Sequence, residues 1–157
     1  MRLTSFTDYS LRALMYLAVN RERLVTIQDI ADLHGISKNH LTKVIVQLVQ
    51  LGLVETVRGR NGGLKLGCEP TEINIGHVVR QTETDFYMAE CFDRESNSCV
   101  FAPACVLKGA LVAATAAYLA VLDGVTLENL VKIKNPRVLG GAAVKPLRLQ
   151  PQTKANR

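Results

Sequence analysis

The sequence predicts a mainly α-helical chain with a small β wing, in which a winged helix-turn-helix is followed by a cysteine loop and a long helix. Three observations predict it. Two amphipathic helical segments are joined by the short Gly35-Ile36-Ser37 turn. Directly after them, two short alternating segments flank a basic, glycine-rich turn, Arg58-Gly59-Arg60-Asn61-Gly62-Gly63. Further on, three of the four cysteines lie between Cys91 and Cys105 at a Cys-x7-Cys-x5-Cys spacing. The small and polar residues of that stretch favour neither helix nor strand.

Each element has its own local reason. Leu11, Leu14, Met15, Leu17 and Ala18 recur at helical spacing, so residues 4–20 read as an amphipathic helix ending near Asn20. Thr26 is an N-cap and Gly35 a C-terminal stop for a second helix from Ile27 to His34. Ser37 is expected to cap a third helix, whose Leu41, Val44, Ile45, Leu48 and Leu51 follow the i, i+3, i+4, i+7 pattern until Gly52 ends it. Leu53 to Val57 and Leu64 to Leu66 read as the two strands of the wing. Asn74 caps a short helix from Ile75 to about Glu83, with Val78 and Val79 facing inward. Ala102-Pro103 suits the start of the long helix, since proline is tolerated at the first helical position. That helix runs to Leu122 and is apolar nearly all round, which calls for cover from a second subunit. Thr126 to Ile133 adds a last short helix, and no internal repeat is evident.

At 157 residues the chain can bury a core without disulfide staples. We divide it into a DNA-binding winged helix (1–67), a segment holding the cysteine loop and dimerisation helices (68–134), and a basic, disordered tail (135–157) rich in Pro, Gly, Lys and Gln. The net charge of +5 is unevenly spread, at +4, −5 and +6 over residues 1–67, 68–105 and 106–157. Basic ends around an acidic middle favour a polyanionic partner away from the cysteines. No secretory pattern opens the sequence, so a cytoplasmic, reducing location is expected, where clustered cysteines more often bind metal than pair. The apolar run Val106 to Leu122 contains Lys108 and Gly109 and is shorter than the ~20 residues a membrane helix needs, so no membrane association is expected.

In a helix-turn-helix, the second helix offers its N-terminal polar residues to base edges and phosphates. Here those are Ser37, Lys38, Asn39, His40 and Lys43, with Thr42 and Gln47 on the same solvent face. Arg58, Arg60, Asn61 and Gly62 are the matching candidates on the wing, where glycine permits close approach and arginine supplies charge for phosphates or a narrow minor groove. A helical hairpin with a solvated face is the plain alternative. His77 reads as a surface residue and Cys68 as an unligated thiol.

Three thiolates on one loop suit zinc, copper(I) or an iron-sulfur centre. Structural zinc sites bring close Cys-x2-4-Cys knuckles in pairs, and none is present. The wider spacing leaves room for a cluster completed by one further ligand, and does not separate 2Fe-2S from 4Fe-4S. A redox disulfide and three unligated thiols remain as alternatives.

The ordered combination of MRLTSFTDYSLRALMYLA, a wing ending in GRNGGLKL, the INIGHVVRQTE helix, the three-cysteine loop and the long helix resembles the iron-sulfur winged-helix repressor family of the IscR and NsrR type. The resemblance covers roughly residues 1–135 and is greatest to the nitric-oxide-sensing NsrR branch. It implies a homodimer joined through the long helix, a palindromic double-stranded DNA operator, and a cluster, 4Fe-4S in preference to 2Fe-2S, ligated by Cys91, Cys99 and Cys105. Some NsrR-like proteins take a fourth ligand from the partner's first helix, which here corresponds to Asp8. Asp8 also suits the first helical turn or an i, i+4 pair with Arg12. The histidine that the IscR branch places after its third cysteine is missing, since Val106, Leu107 and Lys108 follow Cys105. The implied function is a transcriptional repressor released from DNA when nitric oxide reacts with its cluster. The rivals are a regulator of the same family sensing iron-sulfur or redox status, and a zinc-stabilised protein-interaction module. No Ser-His-Asp arrangement, phosphate loop or paired carboxylates suggest an enzyme.

Overall fold

The computed structural model describes residues 2–101 and 104–132. Helix α1, Ser5–Val19, starts where the Thr4 side chain accepts the Thr7 amide, and its inward stripe is Ala13, Leu14, Leu17 and Ala18. Helix α2, Ile27–His34, begins with a reciprocal capping box between Thr26 and Asp29 and stops at Gly35, whose φ of 63° is left-handed. Helix α3, Lys38–Gln50, buries Leu41, Val44, Ile45 and Leu48 against α1 and α2. Ser37 precedes it but, contrary to expectation, makes no side-chain cap. Its carbonyl alone takes up the Leu41 amide.

Strand β1, Val54–Val57, pairs antiparallel with β2, Gly63–Leu66, in the register Val54 to Leu66. Gly59 takes a φ of 118° at the tip, a conformation that a side chain would strain. The far edge of β2 is not free. Val25 and Leu64 exchange both backbone hydrogen bonds, at 3.0 and 2.7 Å, which pins the wing to the connection between α1 and α2.

Helix α4, Ile75–Thr82, is capped by Asn74 and buries Val78 and Val79 between α1 and α5. A single 3-10 turn at Glu90–Phe92 buries Cys91, so the cysteine loop is more ordered at its start than its composition suggests. Helix α5, Val106–Asp123, begins later than expected. Cys105 is extended at φ −80° and ψ 110°, which stops a helix from passing through it. Ala102 and Pro103, the expected start, lie outside the described residues, as do Ile133 and the tail from 135 onward. Helix α6, Leu127–Val131, opens with a second capping box, Thr126 with Asn129.

One hydrophobic core joins the winged helix to α4 and α6. Ile73, Ile75, Val78, Val79 and Leu127 belong to the same buried cluster as Leu14, Ile30, Leu41 and Leu48. Helix α5 differs. Thr115 is its one buried residue, while Val106, Leu107, Val112 and Val121 are exposed. By length and composition alone it would pass for a membrane crossing, at a mean hydropathy of 1.6.

Candidate nucleic-acid interface and cysteine loop

Packing of Leu41, Val44, Ile45 and Leu48 inward turns the other side of α3 to solvent. Ser37, Lys38, Asn39, His40 and Lys43 are all exposed there, and Arg58, Arg60 and Asn61 are exposed at the wing tip, with Gly62 partly covered beside them. Among the described residues, Lys38, Lys43, Arg58 and Arg60 have no carboxylate partner, whereas Arg12, Arg21, Arg23, Lys65, Arg80 and Lys132 each form an ion pair. Cations left unpaired on one helix face and one hairpin tip are available to phosphates.

The cysteine loop is folded by its own polar side chains. Glu90 accepts hydrogen bonds from the Ser98 amide and hydroxyl, and these two bonds hold its carboxyl below the usual range. Glu90 precedes Cys91 and Ser98 precedes Cys99, so this contact draws the chain at the two cysteines together. Asp93 accepts from the Glu95 amide and the Ser96 hydroxyl, and Asn97 accepts the Cys99 amide at 3.0 Å. Cys105 is fixed differently. Its Sγ accepts the Lys108 amide at 3.4 Å at the N-terminus of α5 and borders an open hollow of about 390 Å3 with Val100, Phe101, Ala104 and Val106.

All four cysteines are free thiols. Among the described residues no three Cys, His, Asp or Glu side chains converge into a metal-holding group. The donor set itself fits a thiolate-held cluster: three soft sulfur donors on one loop, two of them adjacent in sequence to the hydrogen-bonded Glu90 and Ser98. Cys68 lies apart, between the wing and α4. Burial pushes its thiol up, with Glu72 and Glu69 adding to the effect, which disfavours the thiolate that a metal requires.

Asp8 occupies the first turn of α1 and pairs with Arg12 of its own chain through two contacts, at 3.0 and 3.1 Å. Two neighbours that sequence reasoning passed over connect α1 to both functional regions. The Tyr9 and His40 rings lie 6.2 Å apart, which puts α1 against the start of α3. Glu83 reaches back across 79 positions to accept the Thr4 amide at 2.8 Å, which ties the start of α1 to the segment entering the cysteine loop. Neither contact leaves a local pattern, because each joins residues far apart in the sequence that meet only when the helices are packed.

Comparison with known proteins agrees with this arrangement. Residues 3–133 match the Rrf2 family, described as "Iron-dependent Transcriptional regulator". The chain is similar to the HTH-type transcriptional regulator NsrR of Bacillus subtilis, with 58% identity over 135 residues, 85% of this chain and 92% of the relative. NsrR of Shouchella clausii is 55% identical over 132 residues, 83% of this chain and 89% of that one. Among solved structures, T. potens IscR superposes with a TM-score of 0.70 at 26% identity, covering 92% of this chain and 94% of its own. The match over residues 3–133, carried by a winged helix followed by a three-thiol loop, makes this chain a member of the Rrf2 family of helix-turn-helix transcriptional regulators.

Proposed function

We propose that the protein is a homodimeric repressor of the NsrR type, which binds a palindromic operator and releases it on exposure to nitric oxide. The observation that carries this reading is the position of the three free thiols, on a loop strung between α4, which packs on α1, and α5, whose apolar surface is uncovered. The relatives named NsrR, at 55 and 58% identity, support the same assignment.

In this reading residues 1–67 contact DNA and residues 68–134 form the sensing and dimerising part. Helix α5 buries its exposed Val106, Leu107, Val112 and Val121 against a second copy. Two copies related by a two-fold axis offer their α3 helices to half-sites about one DNA turn, ~34 Å, apart. Lys38 and Lys43 on α3 and Arg58 and Arg60 on the wing anchor phosphates, while Ser37, Asn39, His40 and Asn61 reach base edges or the backbone. Gly62 lets the wing tip approach.

Cys91, Cys99 and Cys105 would hold an iron-sulfur cluster, 4Fe-4S in preference to 2Fe-2S, and Asp8 of the partner subunit would complete the ligand set. Such a cluster, when bound, supplies iron that nitric oxide attacks. A carboxylate is a harder and more weakly held ligand than a thiolate, so Asp8 is the position most readily lost. Asp8 then has Arg12, its partner within the same helix, to return to. Because Tyr9 follows Asp8 and meets His40, a change at the start of α1 bears on the N-terminal end of α3, where the spacing between half-sites allows little displacement. Thr4 and Glu83 brace α1 against the loop segment on the other side.

The visible absorbance spectrum and iron-to-protein ratio of anaerobically purified protein test this reading. Brown protein with several irons per chain is expected. Colourless protein with one zinc per chain and no salt-dependent DNA affinity would overturn it in favour of a zinc-stabilised interaction module.

A further inference from the structure

Helix α3 carries more than polar side chains on its reading face. Asn39, Thr42, Lys43, Val46 and Gln50 fall at i, i+3, i+4, i+7 and i+11, opposite the buried stripe of Leu41, Val44, Ile45 and Leu48. Val46 lies near the centre of that face and is 52% exposed, an apolar side chain among polar and charged ones. Thr42 adds a second apolar group. Its hydroxyl donates to the Lys38 carbonyl at 2.9 Å, so the oxygen is turned back onto the helix and the γ-methyl is what the outer face can present.

We infer that Thr42 and Val46 are specificity determinants that read thymine methyl groups in the major groove. The inference rests on the proposed entry of α3 into that groove. The C5 methyl is the apolar feature that distinguishes thymine there, and aliphatic side chains are the groups that recognise it. Four residues of helix rise about 6 Å, so the two side chains can address thymines one or two base pairs apart. Lys38 and Lys43 supply charge that is blind to sequence. Val46, with no hydrogen-bonding group, can favour a base only through contact with a methyl.

The test uses the cluster-loaded full-length protein under anaerobic conditions and the duplex it selects from a random-sequence library. Each thymine in that duplex is replaced in turn by deoxyuridine, which removes only the methyl, and affinity is measured for wild type, Val46→Ala and Thr42→Ser. Thr42→Ser keeps a hydroxyl for Lys38 and deletes the methyl. Wild type should lose about fourfold in affinity at one or two thymines, the value of one methyl-sized burial. Each variant should abolish the loss at its own position and keep it at the other. A flat scan, or the same pattern in wild type and both variants, overturns the inference. Failure of α3 to enter the groove at all is a separate result: Lys43→Ala would then bind the selected duplex as tightly as wild type, and both readings would fall.

Discussion

Helices α3 and α5 are both regular, yet one is finished within its own chain and the other is not. Helix α3 puts Leu41, Val44, Ile45 and Leu48 inside and polar residues outside, and its apolar surface is almost used up by α1, α2 and β1. In α5 the apolar residues surround the axis, one residue is buried, and Val106 is 87% exposed. The cysteine loop that leads into α5 is unfinished in the same sense, with three thiols and no bond between them. A stripe of one face encodes a core, while an all-round apolar surface exceeds what one small chain covers.

The sharpest way to break this comparison is at the thiols. Replacing Cys91, Cys99 or Cys105 singly by alanine should abolish the cluster's visible absorbance, and Cys68→Ala should leave it intact. Loss of colour on changing Cys68 but not Cys99 would reverse the ligand assignment.

The next largest effect separates the two helices by their packing. Leu48→Ala, at a fully buried position, should cost about 2–5 kcal/mol of stability in urea unfolding. Val112→Asp, at a position 50% exposed, should instead raise the dimer dissociation constant at least about tenfold, seen by sedimentation. A Val112→Asp protein that stays dimeric would place the interface elsewhere.

Smaller effects belong to the wing and the caps. Arg58→Ala and Arg60→Ala should each weaken DNA binding several-fold across sequences and lower the slope of log affinity against log salt by about one, measured by titration at several salt concentrations. Thr26→Ala removes the capping box of α2 and should cost about 1 kcal/mol in thermal or urea unfolding.

Legibility in the sequence divides along the same line. The bounds of α2 could be read because a Thr-Asp capping box and a left-handed glycine are local chemistry. The wing could be read from alternation and a glycine-rich turn, and the buried and exposed faces of α3 from its periodicity. Ser37 differs from expectation, because residue type marks only a candidate cap and its hydroxyl bonds no amide at the start of α3. The start of α5 is later than expected because Pro103 is only a permissive signal, whereas Cys105 is extended and its side chain caps the helix at the Lys108 amide. Cysteine spacing named three thiols, but the Glu90 to Ser98 contact beside two of them has no pattern to reveal it. The Thr4 to Glu83 and Tyr9 to His40 contacts were likewise hidden, since they exist only once α1 packs against α3 and α4.

The central claim is that the unfinished region controls the finished one. It is tested most directly by the affinity of one anaerobic, cluster-loaded sample for its selected duplex before and after stoichiometric nitric oxide, with absorbance followed alongside. Bleaching and loss of affinity are expected to progress together. An affinity that is unchanged when the absorbance has gone would contradict it.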